Sequence, residues 1–268
     1  MPKSEMLDFS LVKSYYHISP EGADAPFYEL PAAQLLERNY ALEALAKKGA
    51  SWKAIGMELP VSFTGIPFFY LGLMNLLFSA QYNQFIKLPL SALTLQLENH
   101  NDHVHIGFKI NELQTVDIPT DPVERASVIA NEWSEFIGET VIPAFDALAE
   151  AAELKPDIIW NQFGAATHSV LAYVRDELQV PGLIDLIEAD FKIIEALPAE
   201  VFKRRRNPYV HKPRYIDNPW SPPDGQLIIR SSCCMYDRRE EGTKCYNCPQ
   251  MLPAEREERR QKILVEQH

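Results

Sequence analysis

The residues best suited to chemistry are four cysteines near the carboxyl end of the chain, Cys233, Cys234, Cys245 and Cys248. No cysteine precedes them in the sequence. Thiolates bind soft and borderline metal ions, so cysteines confined to one short stretch indicate a shared metal centre. The first two are adjacent, and the last two form a Cys-x-x-Cys pair.

Two kinds of centre use four thiolates, a single zinc ion and an iron–sulfur cluster. A zinc knuckle normally has two Cys-x-x-Cys pairs, and only Cys245 and Cys248 have that spacing. Adjacent side chains tend to diverge, so binding Cys233 and Cys234 to one small ion would strain the backbone. A [2Fe–2S] cluster is larger and accepts thiolates in two pairs. The spacing therefore favours [2Fe–2S], with structural zinc as the alternative.

Composition restricts the remaining functions. Apolar residues make up 46% of the 268 residues, enough for a substantial core in a single domain. The net charge of −11 argues against nucleic-acid binding, which requires a basic surface. The start of the chain lacks an apolar signal region, which predicts a cytoplasmic protein. Disulfides are rare in that reducing compartment, so they are a weaker explanation of the cysteines.

Positive charge is concentrated near the cysteines. Residues 201–248 contain ten basic and five acidic residues, although the whole chain is acidic. The densest part is the basic run (residues 203–206), which consists of Lys203, Arg204, Arg205 and Arg206. It predicts contact with an anionic substrate or with an acidic donor protein. The alternative is a solvated loop whose cations pair with neighbouring acidic helices.

Hydrophobic periodicity predicts an α+β fold with a mostly helical body (residues 1–197). Apolar and polar residues alternate in a predicted antiparallel hairpin over residues 91–111, with a turn at 99–102. Helices are predicted over residues 30–48 and 67–85, from Pro122 towards 152, from Asp157, and over 183–197. Recurring prolines exclude long helices from much of the C-terminal segment (residues 198–268), which ends in a predicted surface helix over 254–268.

Two features of the body allow alternatives. Residues 66–86 are rich in Phe, Leu and Met, but polar residues such as Asn75 and Gln81 favour a buried helix over a transmembrane span. These two amides either find partners in the core or face a pocket. His103 and His105 share one face of the hairpin; they could bind a metal with a third ligand, and without one they are expected to lie on a solvated face.

The cysteine spacing also resembles a known family. The sequence Arg-Ser-Ser-Cys-Cys-Met-Tyr from Arg230, followed by Cys-Tyr-Asn-Cys-Pro from Cys245, is similar to the end of the siderophore-iron reductases of the ferric hydroxamate reductase (FhuF) type. The specific similarity covers about 20 residues, the length over which a four-cysteine cluster motif extends. Tyr246 stands where the family often has glycine, a change that leaves all four cysteines in place.

The resemblance implies that the four cysteines hold a [2Fe–2S] cluster and that the protein reduces Fe(III) in a siderophore, of hydroxamate or citrate-hydroxamate type. No catalytic residue beyond the cluster is then required. The chain has no G-x-G-x-x-G or Walker sequence, so electrons are expected from an external donor such as a ferredoxin. Without a transmembrane span, contact with a membrane would be peripheral. The alternatives are a zinc-stabilised adaptor and a siderophore-binding protein with a structural or sensing cluster.

Overall fold

The computed structural model describes residues 7–100, 103–177, 182–223 and 225–266. Within these ranges helices surround a four-stranded sheet, and two small two-stranded sheets lie apart from it, which confirms the α+β prediction. The helices are α1 (Ser10–Tyr16), α2 (Arg38–Ser51), α3 (Glu58–Tyr82), α4 (Pro122–Phe136), α5 (Ile142–Ala151), α6 (Asp157–Trp160), α7 (Phe163–Glu177), α8 (Leu183–Glu195) and α9 (Pro253–Glu266). The strands are β1 (Ile18–Ser19), β2 (Pro26–Pro31), β3 (Gln84–Lys87), β4 (Leu93–His100), β5 (His103–Ile110), β6 (Gln114–Asp117), β7 (Tyr215–Asp217) and β8 (Gln226–Ile228).

Helix α3 forms the centre of the body. Among the described residues it is the one helix long and apolar enough to cross a membrane, yet 83% of its most apolar stretch is buried inside the protein. Core packing therefore accounts for its composition. The predicted start at Pro67 is wrong, because the helix begins at Glu58 and continues through that proline. Burial on nearly all sides outweighs the one backbone hydrogen bond that Pro67 removes.

The predicted helix over residues 30–48 is wrong at its start. Leu30 and Pro31 belong to β2 and pair with Leu95 and Thr94 of β4. A short 3₁₀ helix follows at Ala32–Leu36 before α2 begins. Sheet pairing and burial of Leu30 override the helical propensity of this stretch.

The predicted hairpin is confirmed as β4 and β5, in which Leu95 lies opposite Phe108. Strand β2 adds antiparallel to β4, and β1 adds parallel to β5. Leucines from β4 form the buried face that packs on the helices, as their alternation predicted. Part of the predicted turn, residues 101–102, lies outside the described residues, as do residues 267–268 of the predicted last helix.

Two polar groups are built into the core of the body. The Asn75 side chain donates to the carbonyl of Ile86 at 3.0 Å and accepts from its N–H at 2.8 Å, so this amide is satisfied rather than open to a pocket. Gln81 is exposed. The buried Arg125 guanidinium donates to both carboxylate oxygens of Asp190, at 2.8 and 2.5 Å, and thereby joins α4 to α8.

Candidate metal centre

The structure gathers the four cysteines into two pairs. The sulfur atoms of Cys234 and Cys245 lie 3.7 Å apart, and Cys233 packs with Cys248 in one buried cluster. All four thiols are free. Each adjacent cysteine therefore faces a different member of the Cys-x-x-Cys pair. Neighbouring side chains tend to diverge, and the backbone directly after Cys234 is left-handed at Met235 (φ 61°).

Shielding of the thiols is uneven. Cys233, Cys234 and Cys248 are buried, together with Met251, whereas Cys245 is partly exposed. Tyr246 is also buried and packs edge-on against Trp220, with ring centroids 5.6 Å apart. A group held by these thiols would be enclosed on most sides and would approach the surface at Cys245.

Electrostatics separate the two pairs. The contact between the Cys234 and Cys245 thiols raises the pKa of Cys234 and, together with the charge of Arg230, lowers the pKa of Cys245 to about 6. Burial raises the pKa of Cys233 to about 11. The Met235 N–H lies 3.4 Å from the Cys233 sulfur, the kind of contact that stabilises a metal-bound thiolate. Arg230 belongs to the sequence motif, but the sequence alone did not predict that its charge acts on the Cys245 thiol.

The cysteine segment (residues 230–250) is attached to the start of α7. The Gln162 side chain, only 6% exposed, donates to the carbonyl of Cys233 at 2.7 Å. The Ser231 hydroxyl donates to the carbonyl of Asn161 at 2.6 Å and accepts from the N–H of Ala165 at 3.2 Å. These bonds fix the backbone on both sides of Ser232 to one helix end.

A second attachment joins the segment to the loop after α2. The Tyr236 ring packs against Trp52 with ring centroids 5.3 Å apart, and the Arg239 guanidinium lies 4.0 Å over the Tyr236 ring. Backbone bonds from Ile55 to the Arg238 carbonyl at 2.9 Å and from residue 240 to the residue 53 carbonyl at 3.0 Å complete it. The residues on both sides of the adjacent Cys233 and Cys234 thus contact the body.

Helix α9 closes the other side of the centre. Arg256 donates to the carbonyl of Cys248 at 2.8 Å and to that of Tyr246 at 3.1 Å. The Asn247 side chain donates to the carbonyl of Ile228 at 3.0 Å, which ties the knuckle to β8. The predicted surface helix near the end of the chain therefore stabilises the Cys-x-x-Cys pair formed by Cys245 and Cys248.

The four free thiols match the donor set of an iron–sulfur cluster. A [2Fe–2S] cluster would be held by four thiolates, which Cys233, Cys234, Cys245 and Cys248 supply. Backbone N–H groups and Arg230 near the sulfur atoms supply the stabilisation that bound thiolates need.

The basic run lies beside this centre rather than in it. Its four residues line a cavity of about 700 Å³, and Ser231 of the cysteine segment lines the same cavity. Arg204 forms an ion pair with Asp157. This placement does not test whether the basic run contacts a siderophore or a donor protein. The contact expected for Lys203, Arg204, Arg205 and Arg206 therefore stays a prediction.

The hairpin histidines lie away from the cysteines. His105 contacts His17 of the neighbouring β1 region, with ring centroids 4.0 Å apart, and His100 stacks beyond it at 5.0 Å. Burial, followed by the charges of His105 and His100, lowers the pKa of His17 to about 4. The sequence missed His17, because its approach to the hairpin depends on the parallel pairing of β1 with β5.

Fold and site together define a helical protein with a four-thiolate, iron–sulfur type C-terminal segment. Residues 230–250 match the family model of the FhuF 2Fe-2S C-terminal domain. The match supports the resemblance to the siderophore-iron reductases and indicates a [2Fe–2S] cluster as the cofactor, whose motif the cysteine positions fit. A search of curated proteins found no match for the chain.

Proposed function

We propose that this protein is a ferric-siderophore reductase that releases iron by one-electron reduction of Fe(III), with Cys233, Cys234, Cys245 and Cys248 as the cluster ligands. The observation that carries the proposal is the pairing of four free thiols inside the segment that matches the FhuF 2Fe-2S domain. When bound there, the [2Fe–2S] group supplies single electrons.

The chemistry of release needs no acid, base or nucleophile. Hydroxamate and carboxylate oxygens are hard ligands that hold compact Fe³⁺ tightly, and they hold Fe²⁺ more weakly because its charge is lower. One electron therefore loosens the metal from its chelator. The protein's tasks are to hold the chelate close to the cysteine segment and to keep that segment rigid.

The residues of this chain divide those tasks. Gln162 and Arg256 fix the backbone carbonyls of Cys233 and Cys248, which positions one thiol pair. Arg230 places positive charge beside the other pair and stabilises its thiolate form. Cys245 is partly exposed, unlike the three buried cysteines, and is the thiol that an external electron donor could approach.

The electron donor is proposed to be a separate protein such as a ferredoxin. The sequence has no dinucleotide-binding or Walker motif, which supports an external source of electrons. An acidic donor surface would complement the basic residues around the cysteine segment. We place the reaction in the cytoplasm, where reduced thiols persist and released Fe²⁺ can be used.

The proposal is tested with protein purified without oxygen. It should be brown, contain two irons per chain, bleach on addition of dithionite, and recover its colour when a ferric siderophore is added. Appearance of Fe²⁺ in a ferrous-chelator assay should follow that recovery. A colourless protein with one zinc would instead support the adaptor function. A brown protein whose colour does not recover after the ferric siderophore is added would support a siderophore-binding or sensing function instead.

A further inference from the structure

The strongest unassigned feature is the cavity between the basic run, the start of α7 and the cysteine segment. Its volume of about 700 Å³ lies within the range of roughly 300–1,000 Å³ that is typical of small-molecule sites. Trp160, only 2% exposed, forms part of its wall. The cavity is thus a built, concave site rather than a fold in a surface loop.

The cavity carries uncompensated positive charge. Asp157 is the single carboxylate in its lining, and Arg204 neutralises it. Lys203, Arg205 and Arg206 have no ion-pair partner among the described residues. His211 adds an imidazole whose buried Nε2 lacks a hydrogen-bond partner in the part of the chain that the structure describes. Three cations without an ion-pair partner in the described ranges therefore line the cavity, together with the His211 imidazole.

The neighbouring helix end has the same polarity. Gly164 lies in the first turn of the 15-residue α7 and lines the cavity. The start of a helix carries partial positive charge that favours anions, although here the Ala165 N–H already donates to Ser231 and the Ala166 N–H to Gln162. A side chain at Gly164 would meet His211, with 2.5 Å between the two Cβ atoms. Absence of a side chain therefore lets His211 close against the helix start.

The cavity also borders the cysteines directly. The contact is through Ser231, which lines the cavity and lies two residues before Cys233, so the two Cα atoms are at most about 7 Å apart, the reach of two extended residues. Asn161, bonded to Ser231, lines the same wall, and Gln162 holds the Cys233 carbonyl. A molecule in the cavity would be a near neighbour of one thiol pair.

We propose that this cavity is the chelate site and that it selects ferric chelates with net negative charge, those that retain carboxylate groups, over neutral trihydroxamates. The inference rests on the proposed function and narrows its substrate class. Carboxylates accept charge-assisted and bidentate hydrogen bonds from arginine, and a neutral chelate leaves those cations unpaired. The charge of the site also draws anions to a protein that is otherwise acidic.

The shape favours a small chelate over the donor protein. A protein partner requires a broad contact, about 800 Å² on each side for a standard interface, and it cannot follow a concave wall that reaches buried Trp160. A second cavity, of about 230 Å³, touches the segment through Arg230 and Asn247 but is lined mainly by apolar residues such as Phe69. Of these two cavities beside the cysteine segment, the one of about 700 Å³ is the larger and has the three unpaired cations.

Gallium(III) chelates test this inference without electron transfer, because Ga³⁺ has the charge of Fe³⁺ and is not reduced. Calorimetry on the oxygen-free holoprotein would compare a citrate-based dihydroxamate complex, which keeps negative charge, with a neutral cyclic trihydroxamate complex. We expect the anionic complex to bind at least about tenfold tighter. Added salt should weaken its binding and leave the neutral complex unaffected.

Variants locate the effect. Arg205→Gln with Arg206→Gln should weaken the anionic complex about tenfold and leave the neutral one unchanged, and Arg205→Lys with Arg206→Lys should restore most of the affinity. The matched control is Arg38→Gln with Lys262→Gln, two exposed cations outside the cavity lining. This control should bind both complexes as the parent protein does.

Three results would overturn the inference: equal affinity for both complexes, unchanged affinity in the glutamine variant, or an effect of that variant on the Michaelis constant for the donor protein alone. The first two are binding results with Ga³⁺ and do not depend on reduction of iron, which is measured separately with ferric chelates. Conversely, selective Ga³⁺-chelate binding by a protein that cannot reduce iron would sustain the anion site and refute the reductase function.

Discussion

The helical body and the cysteine segment are stabilised in different ways. The body has a continuous apolar core that extends from α1 to Tyr209 and includes large buried side chains such as Trp133 and Phe68. The segment has a small cluster in which the buried members are Cys233, Cys248 and Met251. Burial of apolar area stabilises the first, whereas the second has little such area to bury.

The difference indicates how the protein responds to loss of its cofactor. The body holds its own core, so it should fold whether or not the thiols bind a group. The segment depends on hydrogen bonds to Gln162 and Arg256, on packing of Tyr236, and on whatever joins its thiols. Cofactor loss should therefore loosen one segment and leave the rest folded.

The sharpest test of this difference removes one thiol. Cys248→Ser should abolish the visible absorption of the cluster, because only three of the four thiolates then remain to hold it. The helical circular dichroism should persist, with a thermal midpoint within a few degrees of the apoprotein, since about 1 kcal/mol corresponds to a few degrees for a domain this size. Ser232→Ala, in the same segment, is the control. Global unfolding of Cys248→Ser would refute the separation of body and segment.

The converse test is a substitution in the helical body. Asp190→Ala leaves the buried Arg125 guanidinium without its carboxylate and should lower the free energy of unfolding by about 3–5 kcal/mol. Chemical denaturation measures this loss. The cluster spectrum per folded molecule should not change. Asp185→Ala, at an exposed site on α8, should have little effect, and an equal loss there would remove the buried pair from the explanation.

A smaller effect is expected where the two regions meet. Gln162→Leu removes the donor to the Cys233 carbonyl, a hydrogen bond of about 1 kcal/mol. Loss of the cluster to an iron chelator, followed at constant temperature, should become faster while body stability changes little. Ser169→Ala on α7 serves as control. An unchanged rate would show that this bond does not hold the segment in place.

The smallest effect concerns pH and lies in the body alone. Burial holds the pKa of His17 at about 4, below its ordinary value of 6.5, so the unfolded chain binds the proton more readily. The contribution of His17 to the free energy of unfolding is complete above pH 6.5 and is lost as pH falls towards 4. Denaturation at several pH values should show a shallower decline for His17→Asn, a residue suited to the left-handed backbone there. Identical slopes would contradict this assignment.

Sequence reasoning worked where the signal is local. The β4–β5 hairpin followed from strict alternation, and the start of α4 from a cap that the structure shows, with Asp121 accepting from the N–H groups of Val123 and Glu124 at 3.0 Å. The cysteine motif was equally local, and its spacing alone favoured two irons.

It failed where distant parts of the chain meet. Pairing of Leu30 with Leu95 turned a predicted helix start into a strand, and burial carried α3 through Pro67. The contacts of Arg125 with Asp190, of His17 with His105 and of Gln162 with Cys233 join residues 65 to 88 positions apart in sequence, and no periodicity encodes them. The cavity beside the basic run is of the same kind, since its walls come from three separate segments.

The central claim is tested most directly by one spectroscopic titration. Protein purified without oxygen is reduced by one electron per chain, its paramagnetic resonance signal is recorded, and a ferric siderophore is added stoichiometrically. The account predicts a signal from a reduced [2Fe–2S] cluster that disappears as one Fe²⁺ is released per electron. A protein that shows no such signal, or whose signal persists beside the ferric siderophore, would contradict it.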